Sequence, residues 1–389
     1  MSYNTQVGVI GSASHAPISG GRRSLEEIVY DVSQAALADA GLTIEDVDGI
    51  VVAANDQLDG RAISVMAASG SVGGVDRDIL STPSAGEHAF VLGVLRVASG
   101  QYRTQLIVSW SPTDVGSIPD ALRLGNDPYF HRRLPLDDFS SNALQAAALA
   151  GAVPAAHELA LSIVAKNRRN GARAYPGRMA LSTEAGAIST SRVTHWPLRE
   201  DMLAPPVTGA VALVVASEEC IAERDYERVA WLKGMGWATE PAFLGDRDLT
   251  QAPALEHACA RAYEEAGIFN PLDSFDVAEI SDPTPYQELL AYEGLGLCPR
   301  AKWRERIAAG DFEASGVVPV NLSGGAICVN PLFCTGLMRI TAASDQIRGR
   351  AHFHQVANAR TALAHAASGF AMQYQTVVVL GSDRPGSRS

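Results

Sequence analysis

The sequence predicts an α/β protein made of two related layered halves, and three observations carry that expectation. Short apolar strands alternate with amphipathic helices, which is the pattern of α/β layers. One succession (helix, Ala-Gly stop, acidic loop, apolar strand) occurs twice, its glycine stops at Gly41 and Gly267 lying 226 residues apart. The chain has 389 residues, 47% hydrophobic and 19% charged. That suits two domains of ordinary size or one large layered one, and excludes a disordered or fibrous chain.

Gln6–Gly11 is a short apolar run ending in glycine, as a buried strand would be. Ser24-Leu-Glu-Glu27 then makes a capping box, and Leu25, Ile28, Val29, Val32 and Ala36 follow at helical spacing up to the stop at Ala40-Gly41. Asp46 and Asp48 precede the strand Gly49–Ala53 and read as solvated loop carboxylates. His88–Val97 reads as an apolar helix and Gln105–Trp110 as the next strand. In the later half, a helix from about Pro253 to Ala266 leads through Asp273 and Asp276, again expected in a solvated loop, into the strand Val277–Ile280. Leu337–Ala343 and Gln375–Gly381 play the parts of the earlier second helix and strand. The natural parse is an N-terminal half, 1–225, and a C-terminal half, 226–389.

The stretch from Ser111 to Glu200 differs: it is rich in Pro, Asn, Arg and Asp, then in Ala, then in basic residues. It reads as an insertion packed over the first half, where long insertions usually cover a site or an interface. Its Ala143–Ala156 segment would suit the apolar lining of a pocket for a bulky acyl group.

Thirty-one Lys+Arg against 43 Asp+Glu give a formal charge of −12. This disfavours a general nucleic-acid or anionic-membrane binder, though the pair Arg168–Arg169 could still meet a phosphate. The apolar stretch Gly209–Ala216 is far shorter than the roughly 20 residues of a membrane span. The start MSYNTQVGVIG lacks a basic segment followed by an apolar run, so a cytoplasmic location is expected. Five scattered cysteines without a CxxC suggest neither a disulfide framework nor structural zinc. His352 and His354 alternate along an expected strand, but no third ligand stands at useful spacing, so no metal is expected. Gly8 and Gly11 are too few for a dinucleotide fingerprint.

Three segments carry a resemblance. Ser323-Gly324-Gly325 continues through Cys328, Asn330-Pro331 and Cys334 to Thr335-Gly336; Ser281-Asp282-Pro283 continues through Tyr286-Gln287-Glu288 to Tyr292-Glu293-Gly294; and Ala364-His365 runs to Gly369, ahead of the last strand. The first is similar to an SGG…HP-x-G-A-T-G loop and the second to an HDCF–NELL–YEALGL segment. Together with two α/β halves and a long insertion in the first, they resemble the thiolase superfamily, in its branch of bacterial lipid-transfer-protein and sterol-carrier-protein thiolase-like proteins. The resemblance spans the chain. It implies a five-layered α-β-α-β-α fold, a homodimer paired through the first half, and an acyl-CoA substrate, with coenzyme A as part of the substrate and no other cofactor.

The catalytic set is where the chain departs. The family's nucleophilic cysteine, three residues before the glycine that opens an apolar helix, is Pro83 here. The histidine of HDCF is Ser281, its cysteine is Pro283, and the histidine of the HP motif is Asn330. Asparagine donates a hydrogen bond to an oxyanion but takes no proton as a base. Gln287, where the family has Asn, keeps an amide donor, and Gly324-Gly325 would let backbone approach a ligand closely. Ser84 stands one helical turn before His88, so the two could form a nucleophile–base pair or be only a helix cap and a core histidine. Tyr286, within the altered HDCF segment, is the acid/base candidate, though a phenol needs a neighbour that lowers its pKa to serve as a base. His365 is either catalytic or structural.

A site without those cysteines and that base cannot carry an acyl group, but a retro-aldol reaction on a β-hydroxyacyl-CoA needs no acyl-enzyme. Some members of the branch, from bacterial steroid side-chain degradation, resemble this pattern; they lack the catalytic cysteine, act as aldolases, use tyrosines and work with a small OB-fold partner carrying a zinc ribbon. The leading expectation is therefore a retro-aldolase lyase. The alternatives are a non-catalytic subunit that binds acyl-CoA or scaffolds an active partner, and an acyltransferase using Cys328 or Ser84.

Overall fold

The computed structural model describes residues 5–15, 23–59, 64–83, 85–113, 117–124, 126–177, 183–203 and 205–386. Among these, nine strands share one mixed sheet: β1 (Val7–His15), β2 (Gly49–Ala54), β3 (Asp78–Pro83), β4 (Thr104–Ser111), β5 (Gly209–Ser217), β6 (Ala230–Thr239), β7 (Val277–Ile280), β8 (Thr361–Ser368) and β9 (Tyr374–Gly381). Their order is β3-β2-β4-β5-β1-β6-β9-β8-β7. Two residue pairs, Gly8–Trp231 and Val9–Ala230, join β1 to β6 and divide the array into two sets.

The second set repeats the first. β5 runs antiparallel between β1 and β4, while β4, β2 and β3 are parallel. β9 likewise runs antiparallel between β6 and β8, β8 is parallel to β7, and Val320 bridges Ala278 in parallel, in the place that β3 takes in the first set. The acidic loops repeat too, and they are not merely solvated. Asp48 accepts hydrogen bonds from the backbone N–H groups of Arg103 and Thr104 at the start of β4, and Asp276 does the same for Arg360 and Thr361 at the start of β8. Each carboxylate pins the strand beside it, because those N–H groups would otherwise lack a partner.

Seven helices complete the layers: α1 (Leu25–Asp39), α2 (Gly86–Ala98), α3 (Asp138–Ala152), α4 (Ala156–Ala174), α5 (Pro253–Ala266), α6 (Pro285–Gly294) and α7 (Thr335–Arg348). The capping box at Ser24 and Glu27 is formed reciprocally, and α5 starts at Pro253 and ends on Gly267 in the left-handed region, as its sequence predicts. α1 covers the outer face of the first set, with Ile28, Val32 and Ala36 packed on Ile10, Ile50 and Val52. α2 and α7 lie between the sets, where Phe90, Val94, Leu337 and Ile340 meet both inner faces. α5 covers the outer face of the second set. The order α-β-α-β-α matches the expected five layers. Burial of each large side chain in the central layer contributes about 1.5–3 kcal/mol.

Only part of the insertion packs on the first half, where the helix Ile118–Leu124 meets Asp56–Asp59; its two long helices go elsewhere. α3 and α4 join the core of the second set, with Leu159 and Ile163 of α4 beside Leu289 and Leu290 of α6. Buried polar bonds hold α4 there: Lys166 Nζ donates to the Val320 carbonyl at 3.0 Å, and Asn170 Nδ2 donates to the carbonyls of Val320 and Asn321. Ala143 and Ala146 belong to this core, so the Ala-rich segment fills space between helices. Arg168 is 2% exposed, 3.6 Å from Asp201, and Arg169 pairs with Glu313 at 2.7 Å, so this pair is engaged within the protein. His352-Phe353-His354 forms one 3-10 turn rather than a strand, directly after α7 is capped by Gly349. Among the described residues no group of His, Cys, Asp and Glu is placed to hold a metal, and no helix is long and apolar enough to cross a membrane.

Candidate active site

A cavity of about 500 Å³ opens where the ends of β3, α2, α3, α6, α7 and the β8–β9 turn converge. Pro83 and Thr82 reach it from β3, Ala85 and His88 from the start of α2, Leu332 and Thr335 from the start of α7, Pro283 and Gln287 from the α6 segment, and Ser368 to Tyr374 from the turn. Ile118, Leu122, Phe139, Leu203, Phe333, Phe370 and Met372 make much of the wall apolar.

The N-terminal turns of α2 and α7 pack head to head at its floor, and glycine makes this possible. A Cβ on Gly86 would lie 2.8 Å from Leu337 Cβ, and one on Gly336 would lie 2.1 Å from a Glu87 carboxylate oxygen. The N-terminus of α2 has no side-chain cap and borders the cavity at Ala85 and His88, so its dipole favours negative charge there. By contrast, α7 continues a 3-10 turn (Leu332–Cys334), and its Thr335 N–H donates to the Leu332 carbonyl.

Five positions singled out in the sequence line this cavity: Pro83, His88, Pro283, Gln287 and Asn330. Asn330 accepts a hydrogen bond from the Leu332 N–H at its Oδ1 (3.1 Å), which turns its amide nitrogen away from that turn and leaves Nδ2 as a donor. Gln287 differs from expectation. Its Nε2 donates to Asn142 Oδ1 and to Gln145 Oε1, both at 2.9 Å, so both amide hydrogens are committed within the wall. The donor passes to Asn142, whose Nδ2 remains beside the cavity. His88 is half-buried and meets the Tyr374 ring edge-on at 5.5 Å. Ser84 lies outside the described residues.

The other candidates lie elsewhere. Tyr286 is fully buried in the core between α6 and α4, its hydroxyl 2.7 Å from His157 Nδ1, and burial pushes its pKa up. That place and that shift both oppose its expected work as a base. His365 is also fully buried. Burial lowers its pKa to about 4, so it is neutral, with Nε2 donating to Gln375 Oε1 at 2.8 Å. Gln375 in turn donates to the Met372 carbonyl, which makes His365 a support of the β8–β9 turn. Ser281 donates to the Ala367 carbonyl at 3.3 Å and is part of the same support.

The glycine-rich loop serves the protein rather than a ligand. Gly324 and Gly325 adopt φ values of +92° and +70°, and a Cβ would meet Gly171 of α4 at 2.6 Å in one case and the Asp282 carboxylate at 2.1 Å in the other. Behind the loop, Asp282 and Glu288 share the Asn167 amide, and Lys166 Nζ lies 2.7 Å from Glu288. Asn321 and Tyr292 also donate to Glu288. Desolvation and the nearby Glu288 charge raise the Asp282 pKa well above the usual carboxylate range. Beside them, Glu279 accepts from Ser323 and from Arg339. Cys328 donates to the Asn167 carbonyl and its thiol pKa is pushed up to about 12 by burial, which keeps it protonated. Of the five cysteines none lines the cavity, and among the described residues none forms a disulfide.

Sequence reasoning missed several titratable groups of the cavity, among them Asp127, His131 and Asp138. Asp138, at the start of α3, lines the cavity one turn before Asn142. Desolvation and the charge of Asp137 raise its pKa to about 7. The only sequence signal was the DD pair before a helix, which reads equally well as a cap; Asp137 is indeed the cap, accepting from Ser140 N.

Residues 238–382 match the family described as Thiolase C-terminal domain-like. Among curated relatives, sterol carrier protein 2 of Oryctolagus cuniculus is 33% identical over 167 residues, 41% of this chain and 30% of that protein. Benzoylsuccinyl-CoA thiolase subunit BbsB of Thauera aromatica is 29% identical over 220 residues, 55% of each chain. The chain thus spans about a third to a half of these relatives' length. Among solved structures, the Ltp2-ChsH2(DUF35) aldolase superposes with a TM-score of 0.80 at 21% identity, covering 98% of this chain and 99% of that one, a likeness of fold.

Proposed function

We propose that this chain, which belongs to the lipid-transfer-protein branch of the thiolase superfamily, holds an acyl-CoA thioester in the cavity at β3 and α2 and splits a carbon–carbon bond by retro-aldol cleavage. The substrate would be a β-hydroxyacyl-CoA and the products a shorter acyl-CoA and a ketone or aldehyde. One observation carries the reading: the cavity has donors for a thioester oxygen but no thiol. Pro83 stands in the nucleophile's place, while Asn330 Nδ2, Asn142 Nδ2 and the uncapped N-terminus of α2 remain. Donors aimed at a developing enolate oxygen serve a lyase, whereas acyl transfer also needs a group that bonds to the acyl carbon. The aldolase named among the solved structures supports this choice of reaction.

The same reading includes a homodimer. β3 is an edge strand whose residues Asp78, Leu80, Ser81 and Pro83 are exposed, so its outer backbone groups are open to pairing with a second chain. It also includes a small OB-fold partner, by analogy with the two-component aldolase.

The test is product analysis by mass spectrometry on β-hydroxyacyl- and β-ketoacyl-CoAs, with and without free CoA and with and without an OB-fold partner. Cleavage of a β-hydroxy substrate in the absence of free CoA is expected. Cleavage of a β-keto substrate only when CoA is added would replace the reading with acyl transfer. No cleavage, with tight acyl-CoA binding, would make the chain a non-catalytic subunit.

A further inference from the structure

We infer that Asp138 is the proton acceptor of the cavity, taking the β-hydroxyl proton of the bound thioester as the carbon–carbon bond breaks. The inference rests on the lyase reading and assigns the one chemical role that the motif positions leave empty: Pro83, Pro283 and Asn330 are not bases at all, and Gln287 is an amide held in the wall.

Asp138 is suited to that role by position. It lies in the first turn of α3, on the same face as Asn142, and both line the cavity that the start of α2 and Asn330 also line. A base and an enolate-stabilising donor set therefore meet across one space. The step balances without a co-reactant. The β-oxygen gives its proton to the Asp138 carboxylate and becomes a carbonyl; the bond between the α- and β-carbons breaks with its electron pair left on the α-carbon. The resulting thioester enolate then takes at that carbon the proton held by Asp138, directly or through a water molecule, which restores the carboxylate.

Its surroundings keep a carboxylate poised near neutrality. Asp137 precedes it and sits 3.9 Å from Arg123, so that cation is drawn to the neighbour. Asp127 and His131, 3.4 Å apart, share the cavity wall, as do His88 and Tyr374. His195, in the short antiparallel pair Val193–His195 and Leu198–Arg199, stacks on Phe139. Among the described residues no cation pairs with Asp138 itself, and the carboxyl is raised to about 7 by desolvation first and Asp137 second.

The experiment compares the full chain with D138N and D138E. In D138N, cleavage of a β-hydroxyacyl-CoA is expected to fall by about 100-fold or more, while affinity for the matching acyl-CoA without the hydroxyl stays within about threefold. The parent rate should rise as pH passes through about 7, where Asp138 ionises, and D138E should recover part of the loss. A D138N rate within about threefold of the parent overturns the role of Asp138 and leaves the lyase reading standing. Loss of acyl-CoA binding in D138N also overturns it, because the residue would then shape the site. A parent that cleaves no β-hydroxyacyl-CoA brings down the reading and the role together.

Discussion

Two polar regions stand back to back in this protein, and they are built on opposite rules. In the cluster behind the glycine loop, Lys166, Asn167, Asp282, Glu288, Tyr292 and Asn321 bond one another in the dry core. Across the cavity, Asp138, Asn142, His88 and Asn330 face open space with bonding capacity left over. The first region is matched inward and fixes shape; the second is matched toward something absent from the chain. Motif-rich segments supply most of the first region, and the insertion supplies half of the second. Resemblance to a family therefore locates the scaffold better than it locates the polar groups that face the cavity.

Substitutions can break that contrast. The largest effect is expected from Glu288→Ala, which leaves Lys166 buried and uncompensated; urea unfolding should report a loss of about 3–5 kcal/mol. Asn330→Ala belongs to the other region: turnover should fall by about 10²–10³, while loss of the bond from the Leu332 N–H should lower stability by only about 1 kcal/mol. His365 sharpens the comparison through pH. Its folded pKa of about 4 lies below the ordinary 6.5, so the unfolded chain binds the extra proton and stability falls as pH drops from about 6.5 to 4. His365→Gln should flatten that acid limb, which amounts to about 3 kcal/mol at its low end. The smallest change is expected from Tyr286→Phe, which removes the bond to His157. It should cost about 1 kcal/mol and leave cleavage within about twofold. A large loss of turnover there would move the reactive region into the core.

Much of the architecture was legible because it is written locally. The capping box at Ser24, the proline and glycine that bound α5, and the apolar runs of β2 and β7 depend on residues within a few positions of one another. What escaped was set by distant contacts. Nothing near Gly324 and Gly325 in the sequence tells that a helix from the insertion and a carboxylate 43 residues upstream of Gly325 fill the space beside them. Asp138 reads as half of a cap, and its shift exists only because the fold walls it in. The turn at His352–His354 kept the alternation of a strand while the capped end of α7 fixed another path. Asn330, Gln287 and His88 do line the cavity, yet the partners that decide what the Gln287 amide can still donate, Asn142 and Gln145, lie far away in the sequence.

The reciprocal glycines at Gly86 and Gly336 have a consequence for how such a protein can change over time. Because each helix lends its first turn to the same small space, neither repeat owns the pocket floor. A change of side chain on one side, such as at Pro83, leaves the opposite helix start where it was. The chain can thus exchange one chemistry for another without rebuilding its frame, provided that those two glycines stay small.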